Sequence, residues 1–193
     1  RHAPQKRIHT DPDFNAETIV TLSKELGLDG AYISSDNWII HHSMGGTVIF
    51  PEDDEPWGHP AVLAEWDKFS ELTVPDPKRA ERMSFMLEAV RKAVELNNNE
   101  LFLEANIDSG PFMMAGILRG MERFMYDLSL CPEKVHELLR FCTDVVIEYA
   151  KAMARTGADG IQFGDSSATL ISKEMYEEFV EPYQKPVINA IRE

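Results

Sequence analysis

The sequence predicts an α/β protein built as a (β/α)8 barrel, of which this chain carries an incomplete portion. Short apolar strands alternate with amphipathic helices, a pattern typical of parallel sheets with right-handed crossovers. Polar residues follow the strands, at the end where barrels keep their chemistry. No glycine-rich fingerprint follows any strand, which disfavours a doubly wound, dinucleotide-binding sheet.

Length limits how much of a barrel the chain can form. Its 193 residues predict one domain, spanning 1–193. A complete barrel usually needs about 250 residues. The chain also begins at Arg1 rather than Met, and Glu193 falls inside an expected helix. We therefore expect a piece of a longer protein, without the C-terminal strands and without the natural N-terminus.

The first predicted unit is a helix followed by a strand. The pattern predicts a helix over 15–26, with Asp13 or Asn15 as its cap and Gly27 as its stop. Its expected buried side carries Ile19, Leu22 and Leu26. A short strand over 31–34 should follow.

The next segment has no long periodic stretch. Residues 38–40 and 47–50 flank two glycines and predict a β-hairpin or two short strands. Residues 51–60 are rich in Asp, Glu and Pro and should form a loop. A short helix is expected over 61–69.

Regular alternation returns in the second half. The pattern predicts a helix over 80–96, a strand over 101–105, a loop over 106–110, a helix opened by Pro111, and a helix over 132–156. The last of these has a buried stripe at 3–4 spacing, formed by Val135, Leu138, Leu139, Cys142, Val145, Val146, Tyr149 and Met153.

One sequence pattern, a helix end followed by a turn and a strand, occurs twice. Residues 27–30 read Gly-Leu-Asp-Gly and lead into the first strand, and residues 157–160 read Gly-Ala-Asp-Gly and lead into a strand over 160–163. A polar loop follows each strand, and a new helix begins at Ser172 after the second. Both copies predict a helix stop, a tight turn and a buried strand.

Three carboxylates follow predicted strands: Asp36, Asp108 and Asp165. In a barrel they would point into one mouth, where burial and neighbouring charges tune acid, base or ligand-orienting roles. The alternative for Asp108 and Asp165 is to cap the next helix. Asp36 precedes an expected hairpin, where a cap is less natural. Ser166 and Ser167 could bind a substrate or satisfy loop backbone groups.

The histidines and cysteines do not predict a metal site or a disulfide framework. His41, His42 and His59 lack the spacing of a zinc site, and adjacent histidines on a strand point to opposite faces. Cys142 lies on an apolar helix face, which predicts a buried thiol, and Cys131 is the only other cysteine. A reducing cytoplasm fits this composition.

The net charge of −14 limits the possible partners. A nucleic-acid backbone or an anionic membrane surface calls for a basic footprint, so neither is expected. No apolar run approaches the roughly 20 residues of a membrane span.

The second half of the chain carries several motifs in register with one family. They are Gly110-Pro111-Phe112 with Gly120, Glu122 and Phe124; Cys131 to His136; Gly157-Ala158-Asp159; Asp165 to Ala168; Leu170-Ile171-Ser172; and Phe179 with Pro182. They resemble the signature of the uroporphyrinogen decarboxylase superfamily, although Cys131 stands where Asp is usual and Met113 where Thr is usual. The resemblance implies a (β/α)8 barrel.

The motif residues are closer to those of one branch, the zinc-dependent methyltransferases, which move a methyl group between a corrinoid protein and a thiol such as coenzyme M. This branch implies a zinc ion with ligands beyond residue 193, a corrinoid on a partner protein and a small methyl acceptor. Asp165 would be the catalytic residue beside the metal, with Ser166 and Ser167 near it. Asp36, Asp108 and Phe112 would line the adjoining substrate wall.

Two alternatives stay open. The decarboxylase branch acts on uroporphyrinogen III, a tetrapyrrole, without a cofactor, but residues 1–7 do not match its arginine-bearing MRQAGR motif. Its active-site tyrosine falls at Ile117 here. The third possibility is a barrel without catalysis that only binds a corrinoid protein or a tetrapyrrole.

Overall fold

The computed structural model describes residues 5–192; residues 1–4, which belong to the stretch compared with MRQAGR, and Glu193 lie outside the described part. In chain order the helices are α1 (Lys6–Thr10), α2 (Pro12–Glu25), α3 (Ile39–Ser43), α4 (Glu81–Asn97), α5 (Pro111–Arg119), α6 (Met121–Leu130), α7 (Pro132–Ala154), α8 (Lys173–Phe179) and α9 (Glu181–Arg192). The strands are β1 (Gly30–Ile33), β2 (Val48–Ile49), β3 (Trp57–Gly58), β4 (Phe102–Ser109) and β5 (Gly160–Gly164).

The central sheet confirms the predicted parallel architecture. Its three strands lie in the order β1-β4-β5, all parallel, with helices in each crossover. This is the strand order of consecutive βα units in a barrel. None of the helices within residues 5–192 is long and apolar enough to cross a membrane.

The two faces of the sheet differ in chemistry. Alternate residues such as Leu103 and Ala105 are buried beneath the helices. On the other face the Tyr32 hydroxyl donates to Gln162 Oε1 at 2.7 Å, across the strand that carries Glu104. This polar face is the one a closed barrel turns inward.

Helix α7 forms the main helical layer behind β4 and β5, and its buried stripe is the predicted one. Every residue named for that stripe is buried. Helix α2 packs against α4, but its buried face is not the predicted one. Leu22 and Leu26 are exposed, whereas Ala16 and Val20 are buried. The helix also begins earlier, because Asp11 caps it by accepting a hydrogen bond from the Phe14 N–H.

The repeated turn is confirmed in both copies. Gly27 has φ +66° and Gly157 has φ +96°, the left-handed conformation that ends a helix and that glycine adopts without steric cost. Each turn leads directly into a parallel strand, β1 and β5 respectively.

An aromatic residue lies at the N-terminal end of the sheet, where it is 56% exposed in the described part of the chain. Phe102 opens β4, pairs with Gly30 of β1 and lies with its ring against Gly160 of β5. A Cβ on Gly30 would lie 2.8 Å from the Phe102 carbonyl oxygen, and one on Gly160 would lie 3.1 Å from the ring. The two glycines therefore make room for this residue.

Three local predictions are wrong. Residues 39–43 form helix α3 rather than a strand, and β2 pairs with β3 instead. Strand β4 continues through the expected loop to Ser109, with a bulge between Asn106 and Ser109. A 3-10 turn over 66–71 replaces the expected helix over 61–69, and a second covers 166–170.

Candidate functional site

The three predicted carboxylates lie along the C-terminal edge of the sheet. Asp36 follows β1, Asp108 lies near the end of β4, and Asp165 directly follows β5. Because these strands are adjacent and parallel, their C-terminal ends form one continuous edge. The structure thus brings the strand ends together, as predicted, but it holds each carboxylate in a different environment.

Asp36 is part of a buried ion pair. Its Oδ2 is paired with the Arg82 guanidinium and accepts from the Ser35 hydroxyl at 2.9 Å, while Oδ1 accepts from the Trp38 N–H at 2.9 Å. His9 Nδ1 lies 3.4 Å from the same carboxylate. Burial raises the pKa of Asp36, but the contacts with His9, Arg82, Ser35 and Trp38 outweigh burial and lower it. Asp36 is therefore ionised at neutral pH.

Asp108 is buried, and within residues 5–192 no cation contacts its carboxylate. Its carboxylate accepts from the Ile40 N–H at 3.2 Å and from the Ser109 hydroxyl at 3.0 Å. The backbone has φ +70°, within the bulge of β4. Burial, aided by the charge of Asp36, raises the pKa of Asp108 to about 7. The contact with Ile40 helps to explain why residues 39–43 are helical. Asp108 accepts from an N–H in the first turn of α3, and Asp36 accepts from the N–H of its N-cap residue, Trp38.

Asp165 contacts two helices. Its Oδ1 accepts from the Met113 N–H of α5 at 2.7 Å, and its Oδ2 accepts from Gln184 Nε2 of α9 at 3.0 Å. Burial raises the pKa of Asp165, although both hydrogen bonds oppose that effect. Asp165 does not cap the helix that follows it in sequence, because Ser172 caps α8 through the Met175 N–H.

The remaining predicted residues are divided between surface and core. Ser166 is exposed, and its hydroxyl lies 3.5 Å from Met113 Sδ. Ser167 is buried. Phe112 is fully buried, with its ring 5.0 Å from that of Phe124, so its side chain packs in the core.

A cleft of about 450 Å³ opens beside this edge. One wall contains Trp38 and His41, and the other contains Ile117 of α5 and Met121 and Arg123 of α6. Burial lowers the pKa of His41, and the neighbouring histidines lower it further, so this ring is neutral at pH 7. The cleft combines an apolar lining with a charged rim, which suits a small organic ligand.

Within residues 5–192 no three His, Cys, Asp or Glu side chains are grouped so that they could hold a metal ion. His41 and His42 lie in α3, so the reason given from a strand was wrong. Cys142 is buried, as expected, and burial raises the pKa of its thiol well above the usual value.

Sequence reasoning missed the partners of the carboxylates. Arg82 is buried and lies over the rings of Phe50 and Phe85, at 5.0 and 4.7 Å from their centroids. An arginine next to the apolar Met83 at the start of α4 was the available signal. Gln184 lies 19 positions after Asp165, and nothing in its local sequence marks it.

Comparison with known proteins identifies relatives of this chain. The family model described as uroporphyrinogen decarboxylase (URO-D) matches residues 2–193. A uroporphyrinogen decarboxylase of Myxococcus xanthus is 31% identical over 192 residues, covering 94% of this chain and 52% of that protein. One of Thermodesulfovibrio yellowstonii is 28% identical over 190 residues, covering 94% and 53%.

Methyltransferases are also similar. A methylcobamide:CoM methyltransferase of Methanosarcina acetivorans is 37% identical over 114 residues, covering 58% of this chain and 33% of that protein. A solved methyltransferase structure from Methanosarcina mazei superposes with a TM-score of 0.89 at 21% identity, covering 98% of this chain and 56% of that one. The superposition confirms the fold. The chain spans about half the length of the decarboxylases it matches.

Proposed function

The chain belongs to the uroporphyrinogen decarboxylase family, and we propose that the protein is a methyltransferase acting between a corrinoid protein and a thiol or similar small acceptor. In this proposal the described residues supply three strands of a barrel and the cleft beside their C-terminal ends. The 37% identity to a methylcobamide:CoM methyltransferase supports the proposal.

Ile117 is the observation that carries the choice between the two branches. The resemblance to the decarboxylase branch expects an active-site tyrosine at this position. Ile117 lines the cleft, so the difference lies on an accessible wall and not in the core. An aliphatic wall offers no hydroxyl to a tetrapyrrole, but it can pack against a methyl group or the carbon chain of a thiol.

The charges at the strand ends favour the same choice. Uroporphyrinogen III carries eight carboxylates, and a mouth that binds it needs available cations. Arg82 is already paired with Asp36, and Arg119 at the cleft is paired with Asp127 at 2.7 Å. Arg123 at the rim donates to the Ala64 carbonyl at 2.6 Å. Each of these three arginines already has a partner within the chain.

Zinc is the cofactor that this reaction would need, because zinc lowers the pKa of a bound thiol and makes it a nucleophile. Residues 5–192 do not fit a zinc site, since they group no three ligating side chains. We therefore propose that the zinc ligands lie beyond residue 193 and that the corrinoid is carried by a partner protein. The cleft would bind and orient the acceptor.

The test uses the full-length protein with methylcobalamin and a set of small thiol acceptors that includes coenzyme M. Transfer is followed by the absorbance change of the cobalamin, and zinc-stripped protein serves as the control. Methyl transfer that needs about one zinc per chain would support the proposal. No transfer by zinc-loaded protein would overturn it.

Decarboxylation of uroporphyrinogen III is the second candidate. It is favoured by the decarboxylase relatives, which match over 94% of the chain, against 58% for the methyltransferase of M. acetivorans. Formation of coproporphyrinogen III, measured by chromatography of the oxidised porphyrins, would establish it. If neither reaction occurs, binding of a corrinoid protein or a tetrapyrrole by calorimetry would identify the non-catalytic alternative.

A further inference from the structure

Asp165 is the centre of a chain of hydrogen bonds that joins four elements. The Tyr176 hydroxyl of α8 donates to Gln184 Oε1 of α9 at 2.8 Å. Gln184 Nε2 donates to Asp165 Oδ2 at 3.0 Å, and the Met113 N–H of α5 donates to Asp165 Oδ1 at 2.7 Å. We call this chain of hydrogen bonds the relay. Because the Asp165 carboxylate only accepts, the Gln184 NH2 donates to it and the Gln184 oxygen is left to accept from the Tyr176 hydroxyl.

Gly110 shows that the local backbone is built around this carboxylate. Gly110 is the N-cap residue of α5 and supplies no capping side chain. A Cβ at this position would lie 2.5 Å from the carboxyl carbon of Asp165. The Gly110 N–H also donates to the Gly164 carbonyl at 2.8 Å. Asp165 therefore takes the place of the missing cap from a different strand, where its charge also favours the helix dipole.

We infer that Asp165 is a positioning residue that fixes the N-terminal turn of α5 to the end of β5, and not the group that reacts with substrate. Both of its oxygens are engaged by groups of the chain itself. Helix α5 carries Ile117, so this relay determines where one wall of the cleft stands. The catalytic role predicted from the sequence is replaced by this role in orientation.

Reversing the polarity of the relay distinguishes the two roles. Asp165→Asn keeps an oxygen for the Met113 N–H, and the Gln184 amide can turn so that its oxygen accepts from the new amide and its NH2 donates to the Tyr176 hydroxyl. Gln184→Glu places two carboxylates against each other. In the double variant the new amide donates to the new carboxylate, which still accepts from the Tyr176 hydroxyl. The amide oxygen still accepts from the Met113 N–H, so the relay is restored without a carboxylate at position 165.

Full-length protein and both single variants, together with the double variant, are compared by thermal unfolding and by hydrogen exchange of the first turn of α5. We expect Gln184→Glu to lower the Tm and speed exchange of the Met113 amide, Asp165→Asn to change both much less, and the double variant to recover most of what Gln184→Glu loses. Glu181→Gln serves as the control, because Glu181 lies on α9 and pairs with Lys185 at the surface. An unchanged Gln184→Glu variant, or a double variant that recovers neither property, would overturn the inference.

The second measurement is kcat. A residue with a purely structural role changes kcat only as far as it changes stability, whereas a reacting carboxylate changes kcat even when the Tm has recovered. We expect the double variant to keep kcat within about tenfold of the natural protein once its Tm has recovered. A larger loss of kcat with a recovered Tm would show that the carboxylate itself is needed for the reaction. If the natural protein transfers no methyl group, the proposed function fails, and unfolding and exchange alone decide the role of Asp165.

Discussion

Asp36 and Asp108 stand at the ends of adjacent strands, both buried, and the protein shifts their pKa values in opposite directions. The difference follows from the partners of each carboxylate. His9 and Arg82 contact Asp36, whereas the carboxylate contacts of Asp108 within residues 5–192 are the neutral Ile40 N–H and Ser109 hydroxyl. Burial therefore dominates at Asp108, which is about half protonated at neutral pH.

Asp108→Asn should become more stabilising as the pH rises. The pKa of Asp108 is raised from 3.8 to about 7, so the natural protein loses stability as the pH rises from 4 to 7. The amide keeps an acceptor for the Ile40 N–H and cannot ionise. Relative to the natural protein, its free energy of unfolding should rise by about 2–3 kcal/mol between pH 5 and pH 8. Urea denaturation at both pH values measures this, and an equal difference at both would contradict it.

Asp36→Asn should destabilise the protein at neutral pH. It leaves the Arg82 charge buried without its counter-ion, which costs roughly 3–5 kcal/mol. The pKa of Asp36 is lowered, so its contribution is present above the ordinary carboxyl pKa and is lost only as the pH falls through the lowered value. Asp13→Asn is the matched control, since Asp13 pairs with Lys92 at the surface, where loss of an ion pair should cost little. Equal costs in urea titrations at pH 7 would be incompatible with a buried pair.

Gly110→Ala should be much less tolerated than Gly164→Ala. A methyl group at 110 would overlap the Asp165 carboxyl, whereas one at 164 would find its nearest neighbour, Gln162 Nε2, at 4.0 Å. We expect a cost of about 1–3 kcal/mol for the first change, from forced displacement in a packed region. Thermal unfolding of the two variants measures the contrast. A Tm for Gly110→Ala equal to that for Gly164→Ala would refute the close contact.

Ile117→Trp should impair turnover without unfolding the protein. Ile117 is half-buried on the cleft wall, so the larger side chain can project into the cleft and reduce its volume. Loss of kcat/KM by about tenfold or more is expected, with little change in Tm. Leu130→Trp at an exposed position of α6 is the control and should leave both unchanged. A normal kcat/KM for Ile117→Trp would show that the ligand does not bind in the cleft.

Periodic elements were predictable because their signal is carried by many residues. Helix α7 could be read from its apolar stripe, and both copies of the repeated turn from their glycines. The strand-end positions of Asp36, Asp108 and Asp165 followed from the same alternation. These features depend on local sequence, and the long-range contacts of the fold agree with the local preferences.

The failures lie where distant groups override local preference. Residues 39–43 begin with two β-branched isoleucines, but Asp108 accepts from the Ile40 N–H and Asp36 from the N–H of the N-cap residue Trp38, and both contacts favour the start of a helix. The bulge in β4 depends on pairing with β5, which the sequence of β4 does not encode.

The ring of Phe102 lies against Gly160 and is 56% exposed in the described part of the chain. It stands on the sheet face that a closed barrel turns inward, where side chains of the remaining strands would contact it. Closure of the barrel would therefore take this ring out of water, and the three strands would gain stability from that closure.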